Sequence, residues 1–543
     1  MKDFFLALVV FLVVLPGRLQ ALEMCSVFAS DMVLQADGPI RIWGETDPAG
    51  SVEVVFSSQR KTAKADADGQ WTLELEPMAA SNEPRQLTVT SSSGSKIFEN
   101  VLVGDVWVCG GQSNMFQPNV ENSTGGAEAL TTADLPLLRI FSTSLMWAPE
   151  PQRDDFPVDA KPAWKVCDPE VAAKTSALPF YFGREILAQT DRPVGLLIVP
   201  LGASVAESWI PMADLEKDAE FAEYVANCKG WMANYPERRE RYKKELADWE
   251  ARKTAAEAAG EPFKERRPSD INGELFPRFW AGAMHNAYIA PLRDLAVKGV
   301  IWYQGESNAN RFAGTKGDLE GYRKVMEILV DSWRRGFGNP NLPFLQVQLS
   351  MFNWNDFNNR RPRDPNVPGG WSVIREAQEM SAKSIPGSGL VVSWDIGQKD
   401  DIHPLNKQPV GQRLAHLALR DVYGQNDIVA DGPTYESHSI ENDAVRVRFK
   451  HTHGGLKTKG DKPLGFAIAG EDRKFHWADA LIEGDEVLVR SSEVPKPVAV
   501  RFAYIQFQDT DLFNASAWPS VPFRTDDWIL EQVPVEARAV QMQ

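Results

Sequence analysis

The sequence predicts an α/β core with a parallel sheet, flanked by a β-rich region at each end. Two patterns predict it. Continuous apolar runs beginning at Val101 and spanning 196–201, 300–303, 344–349 and 390–394 are separated by longer helical stretches, as parallel strands covered by helices require. Before residue 101 and after about 427, short runs of alternating polarity are divided by turn residues, the mark of antiparallel β structure. A chain of 543 residues is too long for one core and implies about three domains.

The N-terminus carries Lys2, an apolar run over 4–15, then Pro16-Gly17 and a cleavage site after Ala21. The run falls short of the ~20 residues that span a bilayer, so 1–21 reads as a signal peptide. Leu19 fits the small-residue rule for cleavage poorly, and Met24 is too large to make Cys25 a lipoprotein site. The expected product is secreted or periplasmic, with no membrane attachment after signal removal. Composition is that of a globular protein, 43% hydrophobic and 24% charged, and a formal net charge of −16 argues against nucleic acid or an anionic membrane as main partner. The four cysteines, 25, 109, 167 and 228, have neither zinc spacing nor the density of a disulfide scaffold. They leave room for one bridge, with Cys109 reading as core.

Residues 22–100 hold the runs 40–43, 52–56, 71–75 and 87–90, interrupted by Asp47-Pro48-Ala49-Gly50, Asp68-Gly69 and Ser93-Gly94, which predicts a small β-sandwich. The α/β region covers 101–425. Inside it, about 212–270 is highly charged and helical. Pro236 is expected to open a helix, with Tyr242, Leu246 and Trp249 on one apolar face and Gly260 and Pro262 closing it. A solvated surface insertion is the favoured reading and a substrate lid the alternative. From 426 to 543, strands are expected at 444–449, 486–490 and 499–505. Asn122 and Asn514 lie in N-x-S/T sequons.

The chemistry points to one stretch. The run ending Val106-Trp107-Val108-Cys109 stops at Gly110-Gly111, and Ser113 follows between Gln112 and Asn114. A serine hydroxyl becomes a useful nucleophile only where a base reaches it and N–H groups stabilise an oxyanion. A buried strand that ends in a Gly-Gly turn and starts a helix supplies such a place. The motif is not the G-x-S-x-G elbow, since Met115 takes the last position; a helix-capping serine is the plain alternative. Of seven histidines, His403 stands apart. It lies in Lys399-Asp400-Asp401-Ile402-His403-Pro404, just past the run 390–394, where α/β sheets place their sites. A carboxylate two or three residues earlier can hold one ring nitrogen and leave the other for Ser113. A solvated Asp-rich turn is the alternative reading, and the serine upstream weighs against it.

Gly111-Gln112-Ser113-Asn114-Met115 resembles the first block of the sialate O-acetylesterase family, carbohydrate esterases of the SGNH hydrolase superfamily. Three further segments match in order: Pro200 through Trp209, with Ala203 where the family has a second glycine; Trp302-Tyr303-Gln304-Gly305-Glu306-Ser307-Asn308; and the His403 loop. Arg375-Glu376-Ala377-Gln378 and residues 286–292 are also family-like, so the resemblance covers most of 26–425. It implies an SGNH-type three-layer α/β/α catalytic domain in which Ser113 is the nucleophile and His403 the base. Asp400, by the D-x-x-H spacing, or Asp401 orients that base. The Gly202 N–H and the Gln304 amide then line the oxyanion hole. Gln112, Asn114, Glu306, Asn308 and Arg311 become candidates for substrate contact, with loop bracing the alternative for Glu306 and Asn308 and the expectation for Ser204, Glu207 and Trp209. No cofactor and no metal is implied. The activity implied is removal of O-acetyl groups from carbohydrate, sialate first, with acetylxylan or another polysaccharide as an alternative substrate. A non-catalytic sugar-binding protein is the competitor of another class. The motifs leave the oligomeric state unspecified.

Overall fold

The structure, a computed structural model, describes residues 21–144, 146–152, 155–157, 162–268, 277–309, 315–353 and 364–528. Arg311, and the expected signal peptide up to residue 20, lie outside the described residues.

One strand of 18 residues, Gly94–Gly111, runs through both parts of a mixed parallel and antiparallel sheet. Its first half pairs antiparallel with Ser81–Ser91. Its second half lies between Val194–Ile198 and Gly299–Tyr303, parallel to both. The parallel array continues through Phe344–Val347 to Ser388–Val391 on one side. On the other it passes to Leu135–Ser142 and ends at an antiparallel edge, Ala163–Cys167. The expected boundary at residue 100 thus falls inside a continuous strand, at a bend where Asn100 takes a left-handed φ of 56°. From Val101 to Gly111 every residue is buried, which is why this half reads as an apolar run, interrupted at Asp105, whose carboxylate accepts from Arg192.

Helices cover both faces of the parallel array. Trp107 meets Phe182 of helix Ala177–Thr190, with ring centroids 5.0 Å apart. A Cβ placed on Gly110 would come within 3.1 Å of Trp333 in helix Leu319–Gly336. Positions 107 and 110 are an odd number apart and so point to opposite faces. Helices Gln408–Asp421 and Gly369–Ser384 complete the two layers, packed on the first and the second respectively.

In the N-terminal part, Ile40–Glu45 pairs with Glu23–Met24 and Gln70–Leu75, while Ser51–Phe56 pairs with Gln59–Lys64 and Ser81–Ser91. Alternating positions such as Ile42, Val54, Leu75 and Val89 point into a shared core. At the other end, two four-stranded antiparallel sheets include the expected strands Ala444–Lys450, Glu486–Arg490 and Ala499–Phe502. They join the α/β part through Trp394, whose indole N–H donates to the Ser520 carbonyl at 2.7 Å.

The insertion corrects one expectation. Pro236 does not open a helix; it lies inside one of 38 residues, Ala222–Ala259. A mid-helix proline removes one backbone hydrogen bond. Tertiary contacts offset that loss: Tyr224, Val225 and Cys228 are buried, and Tyr235 packs edge-on against Trp147 and Trp280. Gly260 ends the helix at φ 69°, as its position suggests. The apolar stripe is covered by the returning chain, with Trp249 against Phe263 and its indole donating to the Glu265 carbonyl at 3.1 Å. All four cysteines are free and buried, so the one bridge the sequence left room for does not form. Among the described residues no helix is long and apolar enough to cross a membrane.

Candidate active site

The parallel strands deliver their chemistry-bearing residues to one edge. Ser113 opens the short helix Ser113–Phe116 directly after Gly94–Gly111. Glycine is required at 111: its φ is 130°, and a Cβ there would sit 2.1 Å from the Tyr303 carbonyl oxygen. Ser113 is half-buried, and its hydroxyl has no hydrogen-bond partner among the described residues. The loop after Val194–Ile198 passes beside it, so that a Cβ on Gly202 would lie 3.7 Å from Ser113 Cβ. Arg278 donates to the Gly202 carbonyl at 3.2 Å, holding this loop in place. Ala203 holds a φ of 56°, a left-handed conformation that accounts for the glycine in the family motif it replaces.

His403 is brought to the same place from the loop before Gln408–Asp421. Asn114, next to Ser113, donates from Nδ2 to the carbonyl of Ile402 at 3.0 Å. The His403 N–H donates to Asp401 Oδ1 at 2.8 Å, closing a tight turn. Asp400 and Asp401 are exposed, and among the described residues no hydrogen bond joins either carboxylate to the His403 ring. Burial and the nearby Lys407 charge push the His403 pKa below its ordinary value, with Asp401 pulling the other way. The ring is therefore neutral, and basic, near pH 7.

Several expected roles are corrected. Gln304 is not turned toward an oxyanion: its two N–H donors go to the Ser204 carbonyl at 3.1 Å and Asn308 Oδ1 at 2.8 Å, and its Oε1 accepts from the Tyr322 hydroxyl. Asn308 is equally committed, donating to Glu207 Oε2 and the Lys316 carbonyl and accepting from the Ala206 N–H. Gln112 Oε1 accepts from the N–H groups of Gly305 and Ser307, each at 3.3 Å. Asn114 and Glu306 are buried and bonded to each other at 2.6 Å. These five residues brace loops, which for Glu306 and Asn308 is the alternative the sequence offered; a substrate would have to displace bonds already made inside the protein. Ser204 and Glu207 brace as expected. Ser204 Oγ donates to the Leu201 carbonyl and accepts from the Trp209 indole, while Glu207 holds Asn308 and the Lys316 N–H.

Lys407 escaped the sequence reading, although it follows His403 by one helical turn's spacing. It is fully buried, its ammonium donating to Asn114 Oδ1 at 2.5 Å and lying 5.4 Å from the centre of the Tyr303 ring. Burial pulls its pKa down to about 7, against the Glu306 and Asp401 charges that favour the cation. Among the described residues no group of three or more His, Cys, Asp or Glu side chains is placed to hold a metal ion.

The family model described as "Carbohydrate esterase, sialic acid-specific acetylesterase" matches residues 277–420. A sialate O-acetylesterase of Pongo abelii is 26% identical over 92% of this chain and 91% of its own length. One of Mus musculus is 28% identical over 74% of each. A crystal structure of a carbohydrate acetylesterase from Xanthomonas citri is 31% identical, covers 94% of this chain and all of that one, and superposes with a TM-score of 0.75. The chain belongs to the sialate O-acetylesterase family. It is a carboxylic ester hydrolase of that family, and the parallel edge that gathers Ser113, Gly202 and His403 is where the sialate O-acetylesterase motifs meet.

Proposed function

We propose that this protein is a serine esterase of the SGNH class that removes O-acetyl groups from carbohydrate, with O-acetylated sialic acid as its substrate. The observation that carries the reading is the meeting at Ser113: Gly202 lies in contact range and Asn114 holds the His403 loop. His403 takes the proton as Ser113 Oγ attacks the acetyl carbonyl, and the Ser113 and Gly202 N–H groups hold the oxyanion. Collapse expels the sugar oxygen, which receives the proton from His403. Water, deprotonated by the same ring, then attacks the acetyl-enzyme and releases acetate and free Ser113. Asp401, already in the His403 turn, or Asp400 serves to orient the imidazolium.

The test is acetate release by wild type and Ser113→Ala on O-acetylated sialic acid and acetylated xylan. Serine-dependent release from sialic acid is expected. Release from xylan alone would keep the mechanism and move the substrate within the broader class, carbohydrate acetylesterase, of the 31% identical relative. Undiminished release by Ser113→Ala would overturn the mechanism. The same reading takes 22–100 as a β-sandwich, 101–425 as the catalytic domain and 426–543 as a β-rich region. It also takes 1–21 as a signal peptide of a secreted or periplasmic protein, which N-terminal sequencing of the mature protein would check.

A further inference from the structure

We propose that Lys407 is a positioning residue for this reaction: through the Asn114 side chain it locks the Ser113 helix, the His403 loop and the Glu306 loop into one arrangement. The inference rests on the reading of Ser113 and His403 as nucleophile and base.

The side-chain amide of Asn114 offers two donor hydrogens and one acceptor oxygen. In the structure each is used, and each reaches a different segment. Nδ2 donates to Glu306 Oε1 at 2.6 Å, beyond the strand Gly299–Tyr303, and to the Ile402 carbonyl at 3.0 Å, one residue before His403. Oδ1 accepts from Lys407 Nζ at 2.5 Å. An amide can be turned over with little change of shape, so something must decide which end faces which partner. With Lys407 as the ammonium and Glu306 as the carboxylate, one side only donates and the other only accepts, so the pair permits a single orientation. In that orientation alone can Nδ2 also hold the Ile402 carbonyl.

The arrangement is well backed. Lys407 immediately precedes helix Gln408–Asp421, which is anchored by Val410 and Leu414 in the core. The groups facing its ammonium are Asn114, Glu306, Asp401, His403 and the Tyr303 ring. Its charge opposes protonation of His403, so it acts on the base electrostatically as well as through the loop.

The experiment compares wild type, Lys407→Met, Asn114→Ala, the double variant and Ser113→Ala on an aryl acetate, with kcat, KM, the pH profile and thermal unfolding recorded for each. Lys407→Met should lower kcat about 10- to 100-fold with KM changed less than about threefold, because alignment is lost and not binding. The midpoint of its acid limb should move upward, since the cation that repels the His403 proton is gone. In the Asn114→Ala background the Lys407 change should cost little more, because both act through one amide. A wild-type kcat and midpoint in Lys407→Met, or losses that simply multiply, would overturn the proposal. A lowered unfolding temperature with kcat and midpoint unchanged would do the same, since that is a purely structural role. If Lys407→Met does not fold, the isosteric Glu306→Gln is used; it should lower kcat at constant KM, and a wild-type kcat would refute the coupling. Activity retained by Ser113→Ala would instead mean that the underlying reading of Ser113 has failed. An inactive Ser113→Ala beside a normal Lys407→Met would leave that reading standing and remove Lys407 alone.

Discussion

Asn114 Nδ2 donates to the Ile402 carbonyl at 3.0 Å, across 288 residues of chain. The residue after Ser113 thus holds the residue before His403, and the two segments meet without their reactive side chains being tied together. A serine hydroxyl left uncommitted in the free protein can turn toward its base when substrate arrives; such bonds are often loose in free enzymes and tighten on binding.

Activity should follow the ionisation of His403. Its pKa is depressed, chiefly by burial and then by Lys407. On the proposed mechanism the base must be deprotonated, so kcat/KM should fall with acid. The midpoint should lie below the ordinary histidine value of 6.5. A pH–rate profile of wild type checks this, and a midpoint at or above that value contradicts it. His403→Ala should lose about 100- to 10,000-fold in kcat.

Asn308 should matter for stability. Its side chain makes four hydrogen bonds in a fully buried cluster with Gln304, Glu207, Ala206 and Lys316. Asn308→Ala leaves a carboxylate oxygen of Glu207 and a Gln304 donor buried without their partner, and each such group costs roughly 1–3 kcal/mol. A loss of about 3 kcal/mol or more is expected in urea denaturation. A value under about 1 kcal/mol would mean that water or neighbouring groups replace Asn308.

The strands were legible because burial on both faces leaves a largely apolar run, and Val101 to Gly111 is such a run, with the buried Asp105 paired to Arg192. The positions of Ser113 after a buried strand and of His403 in a loop beyond one were legible because turn chemistry and a strand end mark them locally, while the roles proposed for them rest on the family resemblance. Gln304 misled for the opposite reason. Sequence gives the presence of an amide at a strand end but not its direction, and here Ser204, from a segment 100 residues away, takes a Gln304 donor. Lys407 was missed because a lysine normally reads as solvated. The carboxylates of Glu306 and Asp401, the amide of Asn114 and the Tyr303 ring, most of them distant in sequence, make its burial tolerable. Pro236 was misread since a proline marks a helix start only when tertiary contacts do not carry the helix past it.

Ala203→Gly should stabilise the protein. Ala203 holds a left-handed φ of 56°, which costs a residue with a Cβ roughly 1–2 kcal/mol. Glycine removes that cost but adds freedom to the unfolded chain worth about 0.4–1 kcal/mol. The net gain by urea denaturation should lie between about 0 and about 1.6 kcal/mol. Because Ala203 adjoins Gly202, kcat should stay near wild type if the loop already has the conformation glycine would adopt. A destabilised Ala203→Gly would show that the methyl group packs more favourably than the backbone strain costs.

Stability should also carry a histidine signature unconnected with the reaction. His285 Nδ1 is shielded from water and among the described residues makes no hydrogen bond, and burial lowers its pKa from 6.5 to about 4, with the Asn286 side chain and the Asp214 charge pulling the other way. The folded state therefore resists a proton that the unfolded chain accepts. Between pH 6.5 and about 4 the unfolded state binds more protons, so stability is complete above 6.5 and is lost as pH falls through that window. With the ring half-buried overall, the loss is about 2 kcal/mol, less than the shift alone would give. Glu207 and Glu306 have raised pKa values through burial and work in the opposite direction, gaining stability as they protonate in the folded state. The quantity to measure is thus the difference between wild type and His285→Gln, which cannot titrate at this position. Unfolding free energies at pH 7.5 and pH 4.5 should give a variant less sensitive to acid by about 2 kcal/mol. Equal sensitivity would mean that His285 reaches water before the protein unfolds.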